Sequence, residues 1–117
     1  MRLHPTDTIQ VVTTTSSKDE AESIARALVE RRLAACVQVA GPIASTYHWK
    51  GRVETAQEFL CIIKTRQTHY LALEDAIRKL HPYDVPEILA IPVSAGNRAY
   101  LDWLRAELAD LTGPDIV

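Results

Sequence analysis

The chain has 117 residues, 47% of them apolar and 24% charged, with a net charge of −2. A chain of this length removes about two-thirds of its unfolded surface from water, so one domain with a true core needs neither metal nor disulfide to fold. Charges of both signs are scattered without runs, which excludes the basic footprint of a nucleic-acid or membrane-surface binder, and no apolar run reaches membrane-spanning length.

The first ten residues, MRLHPTDTIQ, carry a proline and polar groups where a signal peptide has its apolar centre, so a cytoplasmic protein is expected, with residues 1–7 as a flexible start. Thr8 to Thr15, TIQVVTTT, is rich in β-branched residues and ends in hydroxyls, which predicts a strand. Ser17 and Glu20 have the spacing of a capping box, and Ala21, Ile24, Ala25 and Leu28 recur on one face of the helix that follows, up to about Arg32. LAACVQVA, a break at Gly41-Pro42, and IASTYHW predict a second extended stretch. Lys50-Gly51 turns the chain back into RVETAQEFLCIIKT, so residues 34–66 read as one long hairpin with a kink in its first arm. Tyr70, Leu73, Ala76, Ile77 and Leu80 predict a second helix over residues 67–80.

The stretch HPYDVPEI then joins that helix to a fourth strand, EILAIPV. Pro82 and Pro86 stiffen the join and end the helix near Leu80. Gly96-Asn97 starts a third helix with Tyr100, Leu101, Leu104 and Leu108 inward, and residues 111–117 form a weak tail after a single domain over 8–110. Strand, helix, strand, strand, helix, strand is the split βαβ order of an α+β, ferredoxin-like fold, with an additional C-terminal helix. Two strands are apolar on both faces, Phe59-Leu60-Cys61-Ile62-Ile63 and Ile88-Leu89-Ala90-Ile91. An antiparallel sheet with helices on one face should alternate. Another copy of the chain is the expected cover, with the third helix wrapping across the face as the alternative.

Topology orders the polar groups. His81 and Tyr83 fall at the same end of the sheet as Thr13–Ser17 and the hairpin tip Tyr47-His48-Trp49-Lys50, whereas Cys36 falls at the other end. A strand of five or six residues separates the two ends by about 17–20 Å, so Cys36 and His81 cannot hold one ion within a single subunit. Cys36 and Cys61 lie too far apart along neighbouring strands for an intrachain disulfide. There is no glycine-rich phosphate loop, nucleophile elbow, His-x-x-x-His or paired-carboxylate helix face, so no enzyme is expected. Tyr47, Trp49, Tyr83 and Trp103 could wall a pocket with His81, Lys50, Glu58 and Glu87 as polar contacts, or anchor one subunit on another. His48 and His69 are expected to face solvent.

RRLAACVQV, STYHWKGRVE, IIKT, HPYDVPEI and YLDWL, in this order, closely resemble the CutA family of divalent-cation tolerance proteins from about Ile9 to Leu108. The resemblance implies a tight homotrimer, similar in architecture to the PII signalling proteins, and weak binding of copper or another divalent cation. It makes Cys36 and His81 the metal candidates, and Tyr47, Trp49, Lys64, Tyr83, Glu87 and Trp103 cleft or interface positions. Gln38 stands where the family more often has asparagine, and Cys61 where it has an aliphatic residue. Two further functions are consistent with this reading: a regulatory or adaptor trimer holding a small molecule or partner in its intersubunit clefts, and a purely structural trimer.

Overall fold

The computed structural model describes residues 6–111; the expected tail lies outside them beyond Leu111, and the expected flexible start lies outside them except for Thr6 and Asp7. The elements are β1 (Thr8–Thr15), α1 (Lys18–Glu30), β2 (Cys36–Trp49), β3 (Arg52–Arg66), α2 (Tyr70–Leu80), β4 (Leu89–Pro92) and α3 (Arg98–Glu107). One antiparallel sheet has the order β2-β3-β1-β4, the α+β, ferredoxin-like arrangement expected.

Period-two alternation decides which side of the sheet is covered. Ile9 and Val11 of β1 and Cys61 and Ile63 of β3 are buried beneath α1 and α2, where they meet Ala21, Ile24, Leu28, Leu73, Ala76 and Ile77. Ser17 caps α1 as expected: its Oγ accepts the Glu20 N–H at 3.1 Å, and the Glu20 carboxylate accepts the Ser16 hydroxyl at 2.8 Å. Asn97 caps α3 by accepting the Tyr100 N–H. The second helix starts three residues later than expected, because Gln67–His69 form a 3-10 turn. The fourth strand is shorter than EILAIPV: Pro86 precedes it, and only Leu89–Pro92 pair, along β1 alone.

The kink in the hairpin is a one-residue bulge. Ala40 lies opposite Leu60 and Ile43 opposite Glu58, so three steps along β2 match two along β3. Gly41 is required there, since a Cβ at its position would meet Phe59 Cδ2 at 2.7 Å. The bulge brings Cys36 opposite Lys64 rather than Thr65. Lys50 and Gly51 turn the hairpin with φ of 52° and 79°.

α3 closes the end of the sheet where β1 begins and β3 ends. Leu104 and Leu108 pack with Ala35, and the Ala109 N–H donates to the Arg32 carbonyl. Arg32 adopts φ 57°, uncommon outside glycine, and its guanidinium donates to the Glu107 carbonyl and pairs with the Glu107 carboxylate. His69 is 3% exposed, with Nε2 bonded to the Ala109 carbonyl at 2.7 Å and Nδ1 to the Thr68 hydroxyl at 3.0 Å. It is therefore not a surface histidine as expected, because docking of α3 covers it. His48 is exposed.

Thr6 and Asp7 are also held. The Thr6 hydroxyl donates to the Val93 carbonyl, and Asp7 accepts from Arg66 Nε at 2.7 Å with Arg105 nearby. Burial acts to raise the Asp7 pKa, but the bond and charge of Arg66 and the charge of Arg105 outweigh it, so the carboxyl lies below its ordinary value.

Two outcomes follow from this packing. Leu28→Ala, at a fully buried site, should lower stability by about 2–5 kcal/mol in urea unfolding. The Asp7 contribution is present above the ordinary carboxylate pKa and lost as pH falls through the depressed folded value. The stability gap between the parent chain and Asp7→Asn should therefore close below about pH 4.

Candidate functional site

The face of the sheet turned away from α1 and α2 carries Val12, Leu60 and Ile62 half-buried, with Leu89 58% and Ile91 49% exposed. Cys36, Gln38 and Ala40 of β2 share that face, through their pairing with Lys64, Ile62 and Leu60. Among the described residues nothing covers its centre. α3 reaches only the end beside Cys36, where burial and then the neighbouring Cys36 push up the Tyr100 phenol.

The β2–β3 hairpin runs past its neighbours. β1 stops with Thr15 opposite Phe59, while β2 and β3 stay paired to Trp49 and Arg52. Seven more residues of β3 project beyond the sheet, an overhang of about 23 Å at roughly 3.3 Å per residue. The arm ends in Tyr47, Trp49 and Val53, all exposed, with the Lys50 ammonium 5.8 Å from the Trp49 ring centre.

The HPYDVPEI loop lies at the C-terminal end of β1. Leu80 ends α2 because Pro82 follows, and His81, 8% exposed, turns into the protein. Its Nε2 meets the Thr14 carbonyl at 2.7 Å, and its Nδ1 accepts the Tyr83 N–H at 3.1 Å. The Tyr83 ring packs on the imidazole, with centroids 4.7 Å apart, and its hydroxyl donates to Glu58 Oε2 at 2.9 Å. Burial, then the bond to Glu58, pushes the Tyr83 phenol up to about 12. Glu87 is exposed near the end of the loop.

Some expected neighbours are brought together and others are not. Tyr83, Glu58 and His81 form one cluster at the root of the arm. Tyr47 and Trp49 do not join them, because the overhang carries both past the end of the sheet. Trp103 stacks on Tyr100 of α3, 5.6 Å between centroids, at the opposite end beside Cys36. The single chain does not bring the four rings together, which leaves the reading that they anchor one subunit on another. Lys64 lies on the uncovered face, directly across from Cys36.

The metal candidates separate as topology required. Thr14, which His81 bonds, is level with Leu60, and Cys36 is level with Lys64, four residues along, or about 13 Å. His81 has both ring nitrogens bonded to the backbone, so an ion there would displace one of these bonds. Among the described residues no three of His, Cys, Asp and Glu are grouped to hold an ion, so the donors of one chain do not fit a resident metal. Cys61 is buried, with its thiol pushed up to about 11 by burial and donating to the Ala21 carbonyl; both cysteines are free. Sequence reasoning missed the double engagement of His81, and the only signal for it was that Pro82 forces an extended residue at 81.

Residues 9–107 match the family described as CutA1 divalent ion tolerance protein. The divalent-cation tolerance protein CutA of Thermus thermophilus is 48% identical over 95 residues, covering 81% of this chain and 92% of that protein. Human protein CutA is 51% identical over 85 residues, 73% of this chain, and the match spans 48% of the human protein's length. Among solved structures, that of the Thermus thermophilus protein superposes with a TM-score of 0.85 at 45% identity, covering 87% of this chain and 99% of that one. Rice CutA1 superposes with a TM-score of 0.87 at 38% identity, covering 92% and 97%. The matched sequence and the superposed fold agree, and the chain belongs to the CutA1 family of divalent ion tolerance proteins.

Proposed function

We propose that the chain acts in divalent-cation tolerance as a cytoplasmic homotrimer that holds copper weakly and does no catalysis. The observation that carries this reading is the open apolar face together with the overhanging arm. The half-buried Val12, Leu60 and Ile62 and the exposed Leu89 and Ile91 form an apolar surface of the kind a partner covers, and Tyr47 and Trp49 are rings suited to anchor in a neighbour. Identical copies provide a cover of matching shape. Three is the number that the family resemblance implies. Free thiols at Cys36 and Cys61 are in keeping with a reducing compartment.

Copper enters this reading through Cys36. Its thiol is a soft donor of the kind Cu(I) prefers, half-buried on the uncovered face, where an adjoining copy could supply the further donors that one chain lacks. His81 has no part in it.

Sedimentation velocity should give a species of three times the chain mass. Trp49→Ala should weaken assembly by about 2 kcal/mol or more; a monodisperse monomer for the parent chain would refute the trimer. Titration with Cu(I) under reducing conditions should give binding on the order of tenfold weaker for Cys36→Ser and unchanged for His81→Ala. Unchanged affinity in Cys36→Ser would remove Cys36 from the site.

A further inference from the structure

We propose that Tyr83 braces the β2–β3 arm at its hinge, so that the 81–88 loop sets the angle at which the arm holds out Tyr47 and Trp49. Both strands of the arm lose their outside restraint at one level. On β3 the last residue paired with β1 is Phe59, and on β2 the bulge ends at Ile43, which lies opposite Glu58. Glu58 is therefore the first β3 residue of the two-stranded part, and a ribbon attached through a bulge can turn there. Tyr83 reaches that residue: its hydroxyl donates to Glu58 Oε2 at 2.9 Å, a bond to a charged acceptor and so of the stronger kind.

The other end of the brace is fixed to the body of the domain. The Tyr83 amide donates to His81 Nδ1 at 3.1 Å, the two rings pack with centroids 4.7 Å apart, and His81 Nε2 meets the Thr14 carbonyl at 2.7 Å near the end of β1. The Ser16 hydroxyl, ahead of α1, also bonds the phenol. Pro82 before Tyr83 and Pro86 after it restrict the backbone, so the loop yields less than an ordinary connection.

No second tie shares the task. Among the described residues, the only other side-chain hydrogen bond of residues 43–58 joins Thr46 to Thr55 across the arm's own strands, and the Lys50–Trp49 contact is likewise internal. The lever is long. An arm of about 23 Å turned by about 10° at its root moves its tip by about 4 Å, a whole contact distance between side chains. An unbraced arm thus carries its rings over a range wider than one packing position.

In assembly such a brace acts by preorganisation. It raises the rate at which arms find their neighbours and leaves dissociation, in which the arm is already seated, unchanged. This consequence rests on the reading of the chain as a self-assembling protein; the brace itself does not.

The test uses the full chain and Tyr83→Phe, which keeps the ring on His81 and the amide bond and removes only the hydroxyl. Spin labels at Val53→Cys on the tip and Arg26→Cys on α1, in a Cys36→Ser background and diluted with unlabelled chain, report the arm's angle as a distance. In Tyr83→Phe that distance distribution should widen by about 4 Å or more. After dilution from urea, light scattering should show the concentration-dependent step slowed about tenfold, with the first-order folding step and the dissociation rate unchanged. Glu58→Gln, which retains an oxygen acceptor, should match the parent chain. Either a wider distribution or slower association marks the brace; parent values of both refute it. Faster dissociation at an unchanged association rate also refutes it, because Tyr83 is then an interface contact. So does a Glu58→Gln arm as loose as that of Tyr83→Phe, which places the restraint in the charge of Glu58 and not in the bond. If the parent chain proves monomeric, the trimer reading fails and the distance distribution alone decides the brace.

Discussion

The register of β2 on β3 depends on one extra residue. Without the bulge at Gly41-Pro42, every β2 side chain on one side of it would move to the opposite face of the sheet. Val37 and Val39 would then leave the helices, and Cys36 and Gln38 would turn towards the core. Gly41 is the residue that permits it, since the Phe59 ring occupies the space a Cβ would take. The bulge also separates two regimes of the hairpin. Before it, β2 is part of a four-stranded sheet with a core beneath. After it, β2 and β3 have only each other, and a two-stranded ribbon in water is marginal by itself. The arm thus has the composition of something that meets a surface, with rings at its tip and a cross-strand Thr46–Thr55 hydroxyl bond at mid-length.

Much of this architecture is readable along the chain because its causes are local. A serine three residues before a glutamate, an asparagine ahead of an apolar helical face, a glycine that permits a bulge and a Lys-Gly turn act within a few residues of themselves, and each element appears near its expected place. The doubly apolar strands were readable for the same reason: alternation is a property of neighbours, and its failure in Leu60–Ile63 signals an uncovered face whatever the rest of the chain does.

The unread parts depend on distant partners. Nothing near Tyr47 or Trp49 says that β1 ends at Thr15, so the length of the overhang, and with it the separation of those rings from Tyr83, emerges only from the relative lengths of three strands. His69 looks like a helix-start surface residue until α3, forty positions on, lays the Ala109 carbonyl over it. His81 has the residue type of a ligand, and only the path of β1 reveals that the Thr14 carbonyl takes its second nitrogen. Side-chain chemistry suggests what a group can bind; the packed backbone decides whether any lone pair is left over.

Arg32 leads to a different kind of conclusion. Its left-handed backbone follows α1 where glycine would be the relaxed choice, at a cost of about 1–2 kcal/mol for a residue with a side chain. Glycine would relieve that strain but remove the guanidinium that reaches Glu107. The position is therefore one where a conformational gain and a tertiary loss oppose each other, and a survey of helix ends that treats non-glycine residues as defects to be repaired would choose wrongly here. The last helix is attached through a residue that local rules would discard, so the loop after α1 is joined to the end of α3 at a left-handed backbone position.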